Sequence, residues 1–81
     1  MRLPRDLSGQ DLAKALRHLG YEVTRQKGSH MRLTAATAAG EHHITIPNHD
    51  RIKVGTLNSI LTDVAQHLGM SRDDLLARLF A

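Results

Sequence analysis

Two segments of the chain place their aliphatic residues at the spacing of an amphipathic helix. In the first, Leu12, Leu16 and Leu19 recur at i, i+4 and i+7, which predicts one apolar stripe along a helix. The second segment carries a longer stripe, made of Leu57, Ile60, Leu61, Val64 and Leu68. Each stripe needs an apolar surface to cover it, so we expect both helices to pack onto a shared core.

Residues that favour helix ends bracket both stripes. Ser8 is a good N-cap for the first helix, with Asp11 three residues later, and Gly20 is placed to close it. Thr56 resembles the N-cap of the second helix, and Gly69 is expected to end it. The same cap signature returns at residues 71–74 and predicts a short third helix, whose apolar positions are Leu75, Leu76, Leu79 and Phe80.

Between the two long helices the apolar period changes from about four residues to two. Residues 21–26 and 30–34 alternate in the manner of β-strands, and the pair Gly28-Ser29 between them predicts a tight hairpin turn. Ile44 and Ile46 flank a threonine in a third strand that ends at Pro47. The small residues from Ala35 to Gly40 are interpreted as a flexible hairpin loop.

This order of elements predicts an α+β fold of the double-stranded-RNA-binding type. Two helices would cover one face of a three-stranded antiparallel sheet in the order α-β-β-β-α and leave the other face open to solvent. The chain has 81 residues, enough for one compact domain. We therefore expect a single domain over residues 1–81, with its core at about 8–69 and a helical extension at 71–80.

Composition narrows the location and the chemistry of the protein. With no cysteine, the chain has no disulfide framework and no thiolate metal site, which favours a reducing compartment. Residues 1–7 lack the apolar run of a signal peptide, and no stretch approaches the roughly 20 apolar residues of a membrane span. The expectation is a soluble cytoplasmic protein.

Basic residues are concentrated around the predicted hairpin turn. The net charge is +3, and no acidic residue lies among Arg25, Lys27, His30 and Arg32. Lys53 is a further basic residue, outside this cluster and just before the second long helix. Such a cluster suggests an anionic partner such as RNA. The only aromatic residues are one tyrosine and one phenylalanine, so contacts would be made to phosphates and sugars rather than by base stacking on several rings.

His30 is the strongest candidate for catalysis. Gly28 and Ser29 fix its position at the start of a strand, and strand alternation places His30 and Arg32 on the face opposite Met31. An imidazole that titrates near neutral pH, surrounded by cations, suits proton transfer at a phosphodiester. If the neighbouring 2′-hydroxyl of RNA is the nucleophile, this chemistry needs no metal and no cofactor.

The other histidines give weaker signals. His42 and His43 are adjacent, so in a strand they point to opposite faces and do not easily share an ion. We expect no metal site and interpret them as surface residues near the third strand. His49 lies in the loop before the second long helix, where it could contact a phosphate or act as a second acid. No P-loop and no acyl-transfer motif is present.

Several ordered motifs together resemble the HicA (YcfA-like) family of type II toxins, over about residues 8–69. The segments that carry the resemblance are Leu19-Gly20-Tyr21, Arg25-Gln26-Lys27-Gly28-Ser29-His30, Ile44-Thr45-Ile46-Pro47 with His49, and Gly55-Thr56-Leu57 with Ile60-Leu61. The tail from residue 71 to residue 81 extends beyond the shortest members.

The resemblance implies an endoribonuclease that cleaves mRNA, with its active histidine at His30. It also implies a HicB-type antitoxin that masks this histidine, in a complex that can bind operator DNA through the antitoxin. RNA contacts are expected from Arg25, Lys27, Arg32, His49 and Lys53, and the catalytic role of His49 stays open. Two alternatives remain, namely a non-catalytic RNA-binding module of the same fold and a domain that binds an acidic protein.

Overall fold

The structure is a computed structural model and describes residues 6–80. Its elements are α1 (Gly9–Arg17), β1 (Glu22–Lys27), β2 (His30–Thr37), β3 (Gly40–Pro47), α2 (Val54–Leu68) and α3 (Arg72–Phe80). The strands form one antiparallel sheet in the order β1-β2-β3. The predicted α+β fold with an open sheet is therefore confirmed. Residues 1–5, on which the signal-peptide prediction largely rests, lie outside the described part.

The core lies between the helices and one face of the sheet. Leu12 and Leu16 of α1, Leu33 of β2 and Leu61 of α2 are all fully buried, which confirms the predicted helix stripes. The short helix α3 joins the same core through Leu75, Leu76 and Leu79. A buried leucine of this kind contributes roughly 1.5–3 kcal/mol, so α3 is a substantial part of the packing.

Most predicted helix ends are confirmed. The Ser8 hydroxyl accepts a hydrogen bond from the backbone N–H of Asp11 at 3.0 Å, and Ser71 caps α3 through Asp74 in the same way at 3.1 Å. Gly69 ends α2 in the left-handed conformation with φ of 67°. Helix α1 ends earlier than expected, at residue 17, because the N–H groups of residues 18–20 each donate to the carbonyl three residues back, as in a 3₁₀ turn. Gly20 then takes φ of 92°.

The predicted N-cap at Thr56 is wrong. Helix α2 begins at Val54, and the N-cap position belongs to Lys53, whose side chain makes no capping bond. The chain enters the helix early because the preceding residue is fixed: the N–H of Ile52 donates to the carbonyl of Leu7 at 2.8 Å. Thr56 therefore lies within the first turn, where its side chain is exposed.

The interpretation of residues 35–40 as a flexible loop is also wrong. Strand β2 continues to Thr37, and only Ala38 and Ala39 form the turn. Ala35 is buried and pairs with β3. Its small side chain therefore allows close packing under the helices and does not make the segment flexible. The Thr37 hydroxyl accepts from the N–H of Ala39 and donates to the carbonyl of Gly40, which fixes the turn.

None of the helices within residues 6–80 has the length and hydropathy needed to cross a membrane.

Candidate active site

The β1–β2 turn places His30 at one end of the sheet. Gly28 has φ of 57°, a left-handed conformation that a residue without Cβ adopts at little cost, and the turn brings Lys27 directly opposite His30. The backbone N–H of Asn48 donates to the carbonyl of Ser29 at 2.6 Å. The turn is thus bound to the loop that follows β3, which restricts the position of His30.

His30 lies on the open face of the sheet. Its neighbours Met31 and Leu33 are buried under the helices, whereas His30 and Arg32 are exposed. Pairing in the sheet places Thr45 of β3 beside Arg32 on this face. The predicted orientation of the strand is therefore observed.

A β-bulge adds Arg25 to the same face. Strict alternation along β1 would put Arg25 on the side of Val23, toward the helices. The register instead shifts between Val23 and Arg25, so that Arg25 pairs with Arg32 while Val23 pairs with Leu33. Because paired residues share a face, the bulge brings Arg25 and Arg32 together on the open side.

An open groove of about 340 Å³ runs from His30 across the end of β3 to the start of α2. Its lining residues are His30, Thr45, Pro47, His49, Lys53 and Thr56. The structure thus brings His30, His49 and Lys53 together, and places the cations Arg25, Lys27 and Arg32 on the adjoining sheet face. The groove lining contains no carboxylate.

The loop that carries His49 is fixed by the first helix. The N–H of Gly9 donates to the carbonyl of His49 at 2.9 Å. A Cβ on Gly9 would lie 2.2 Å from the carbonyl oxygen of Pro47, closer than any tolerated contact. A glycine is therefore required at this position for α1 to approach the loop. The sequence alone does not predict a role for Gly9, because the requirement for glycine arises only from tertiary packing.

The groove side chains are free to contact a ligand. Within residues 6–80, neither His30 nor His49 makes a side-chain hydrogen bond or ion pair, and the same holds for Lys53. Both histidines are exposed. The arrangement can therefore offer two imidazoles and an ammonium group to one small anionic substrate. Thr45 and Thr56 were not predicted as site residues; Thr45 could have been inferred from strand alternation.

A second group of histidines lies at the opposite end of the sheet. His42 and His43 do point to opposite faces, as predicted, but only His43 is a surface residue. The side chain of His42 is 14% exposed, its Nδ1 lies 2.7 Å from the hydroxyl of Tyr21, and its Nε2 lies 3.2 Å from a carboxylate oxygen of Asp63. The interpretation of His42 as a surface residue is therefore wrong.

This second group continues onto the end of α2. The ring of His42 stacks on that of His67 with centroids 4.2 Å apart, and Nε2 of His67 lies 2.7 Å from the hydroxyl of Thr37. Burial, and then the nearby charge of Asp63, raises the pKa of Tyr21 to about 12. Tyr21 therefore remains a phenol at neutral pH, and its hydroxyl donates to Nδ1 of His42 in the neutral tautomer whose Nε2–H donates to Asp63. Within residues 6–80, no three histidine or acidic side chains converge as a metal site.

A family model described as the HicA toxin of bacterial toxin–antitoxin systems matches residues 9–66, more than half of the chain. The chain belongs to the HicA toxin family. The match runs from the start of α1 into α2, so it includes the turn with His30 and the loop with His49. Comparisons with curated proteins and with solved structures gave no match.

Membership of the HicA family gives the general biological role. The protein is a toxin of a toxin–antitoxin system, and a family of this kind implies an antitoxin partner. HicA toxins are generally ribonucleases. Helix α3 lies beyond the matched residues, yet it packs into the same core.

Proposed function

We propose that this HicA toxin is a metal-independent endoribonuclease that cleaves mRNA in the cytoplasm, with His30 as an acid–base catalyst. One observation carries the proposal: His30 is exposed at the edge of an open groove, beside a cluster of cations, without a side-chain partner within residues 6–80. The remaining cations then act as RNA-binding residues, and Gly28 and Ser29 position the catalytic histidine.

The proposed reaction is an internal displacement at phosphorus. The 2′-oxygen of a ribose loses its proton to an imidazole and bonds to the adjacent phosphorus, while the bond to the 5′-oxygen breaks and that oxygen takes up a proton. The products are a 2′,3′-cyclic phosphate and a 5′-hydroxyl. Lys27 and Arg32 on the sheet face, and Lys53 across the groove, would stabilise the negative charge that builds up on the phosphate. The nucleophile comes from the substrate, so the mechanism needs no metal-activated water.

We propose that the antitoxin neutralises the toxin at the same open face. A HicB-type antitoxin would cover His30 and its cations with an acidic surface, because a basic face attracts a partner of opposite charge. Operator DNA would then be bound through the antitoxin rather than through this chain.

The test compares His30→Ala with His43→Ala, a matched control on the same sheet. His43 is exposed and interacts with Thr34 and Glu41, and it does not line the groove. Each protein is expressed without antitoxin and assayed on RNA in chelator. We expect growth arrest and cyclic-phosphate products from wild type and His43→Ala only, with RNA binding retained by His30→Ala.

Two results would contradict this proposal. Equal toxicity and cleavage by His30→Ala would exclude a catalytic role for His30. RNA binding without cleavage by the wild-type protein would instead indicate a non-catalytic RNA-binding module of the same fold.

A further inference from the structure

We propose that His49 is the second proton-transfer residue of the RNA cleavage reaction and works as a pair with His30. This inference rests on the proposed function and adds to it a catalytic partner on the other side of the groove. One imidazole takes the proton from the 2′-hydroxyl, and the other gives a proton to the departing 5′-oxygen.

The geometry of the reaction requires two groups. In an in-line displacement the attacking and leaving oxygens lie on opposite sides of the phosphorus atom. A single imidazole on one side cannot contact both oxygens in the same transition state. Acid–base catalysis at both oxygens therefore takes one group near each oxygen, and a histidine suits either role near neutral pH.

The groove provides two such groups on different elements. His30 stands at the start of β2, and His49 lies in the loop between β3 and α2, so the two imidazoles approach the groove from separate segments. Ligand pockets in proteins begin at roughly 300 Å³. At about 340 Å³ the groove lies at the small end of this range, which accommodates a phosphate group. Lys53 lines the same groove and adds a charge that can pair with the phosphate.

The backbone fixes the two histidines relative to each other. The hydrogen bond from Asn48 to Ser29 joins their neighbouring residues directly, because Ser29 precedes His30 and Asn48 precedes His49. His30 itself pairs with Pro47 in the sheet. The Gly9 contact then holds the His49 carbonyl from the side of α1. Such anchoring is the preorganisation that acid–base catalysis by two side chains requires.

Other histidines in the described chain lack this combination. His42 and His67 are stacked on each other and bonded to Tyr21 and Thr37, and His43 interacts with Glu41. His18, at the C-cap of α1, is the remaining histidine, and none of these four lines the groove. Among the groove residues, His30 and His49 are the two histidines, the residue type best suited to act as a general acid or base.

The experiment uses a leaving group that needs no proton. The cut site of an RNA oligonucleotide is mapped with wild-type protein, and a matched oligonucleotide is made with sulfur in place of the 5′-bridging oxygen at that bond. A thiolate is a far better leaving group than an alkoxide, so the variant that lacks the general acid regains activity on the sulfur substrate. Wild type, His30→Ala, His49→Ala and the control His43→Ala are compared on both, after circular dichroism has confirmed that they fold.

If the proposal holds, His30→Ala and His49→Ala each lose at least about 100-fold on normal RNA, and one of the two recovers most of the loss on the sulfur substrate while the other does not. The proposal is overturned if His49→Ala cleaves normal RNA like wild type. It is also overturned if neither His30→Ala nor His49→Ala regains activity on the sulfur substrate. Full activity of His30→Ala on both substrates would instead refute the proposed function, so the two failures are distinguishable.

Discussion

Two groups of histidines lie at opposite ends of the sheet, and the two groups differ in how they are bonded. One end of the sheet, called the hairpin end below, is formed by the β2–β3 turn. There His42 and His67 stack on each other and are hydrogen-bonded to Tyr21, Asp63 and Thr37. At the groove end, His30 and His49 are exposed and have no side-chain partner within residues 6–80. The difference separates histidines that stabilise the fold from those available to a substrate.

The same helix contributes to both ends. Helix α2 starts beside the groove, where Thr56 is part of the lining, and its later turns carry Asp63 and His67. The hairpin-end network therefore fixes α2 against β3, while the start of α2 completes the groove. We expect substitutions of histidines at the groove end to lower activity with little change in stability. Substitutions of histidines at the hairpin end should lower stability with little change in activity.

The largest expected effect comes from comparing a histidine-to-alanine substitution at the groove end with one at the hairpin end. His30→Ala should lower kcat by about 10²–10⁴-fold, with the free energy of unfolding within about 0.5 kcal/mol of wild type, as for other surface changes. His42→Ala should do the reverse. It leaves the buried hydroxyl of Tyr21 without its acceptor, at a cost of about 1–3 kcal/mol, while cleavage per folded molecule is retained.

Urea unfolding and steady-state cleavage, measured on the same preparations of the two variants, test this comparison. Loss of activity in folded His42→Ala, or a strong loss of stability in His30→Ala, would mean that the two ends are not functionally separate.

Gly9→Ala tests whether the groove depends on its anchoring to α1. The new Cβ would meet the carbonyl oxygen of Pro47 at 2.2 Å, so the helix or the loop must move. We expect a loss of stability of about 1–3 kcal/mol, as for other forced overpacking, together with reduced cleavage. The control is Gly55→Ala, because a Cβ at Gly55 would meet no atom within 4 Å. Equal activity of both variants would show that the position of the loop is not critical.

Tyr21→Phe tests the hairpin end through its pH dependence. The folded state raises the pKa of Tyr21 to about 12 from an ordinary value of 10, so it favours the protonated phenol. This contribution is complete below pH 10 and is lost as the pH rises toward 12, and it amounts to at most about 3 kcal/mol. The stability advantage of wild type over Tyr21→Phe should therefore shrink between pH 9 and pH 11.5. A constant difference in urea unfolding across this range would contradict the assignment.

The sequence predicted the fold well because its apolar periodicity is strong and local. The stripes at Leu12 and Leu16, and at Leu57 and Leu61, are buried as expected, and the Ser8 cap forms. The prediction of a loop at residues 35–40 was wrong for a physical reason. Small side chains suit a turn in isolation, but the buried position of Ala35 under the helices favours a continued strand.

The candidate site was predictable only in part. Spacing along the chain identified His30 and its cations, since the hairpin places them within a few residues. The approach of His49 to His30 depends on contacts between Asn48 and Ser29, and between Gly9 and His49, which have no local sequence signal. The partners of His42 were missed for the same reason, because Asp63 and His67 come from a distant helix.

The smallest expected effect concerns the β-bulge and the RNA affinity of the groove end. The bulge at Thr24 places Arg25 beside Arg32 on the open face, where both can contact phosphates. Arg25→Gln should weaken RNA binding several-fold and reduce the slope of log K against log salt concentration by about 0.7, the value for one phosphate contact on a single strand. Arg78→Gln, an exposed change on α3, is the control and should leave the slope unchanged. If Arg25→Gln also leaves the slope unchanged, Arg25 does not contact the RNA backbone.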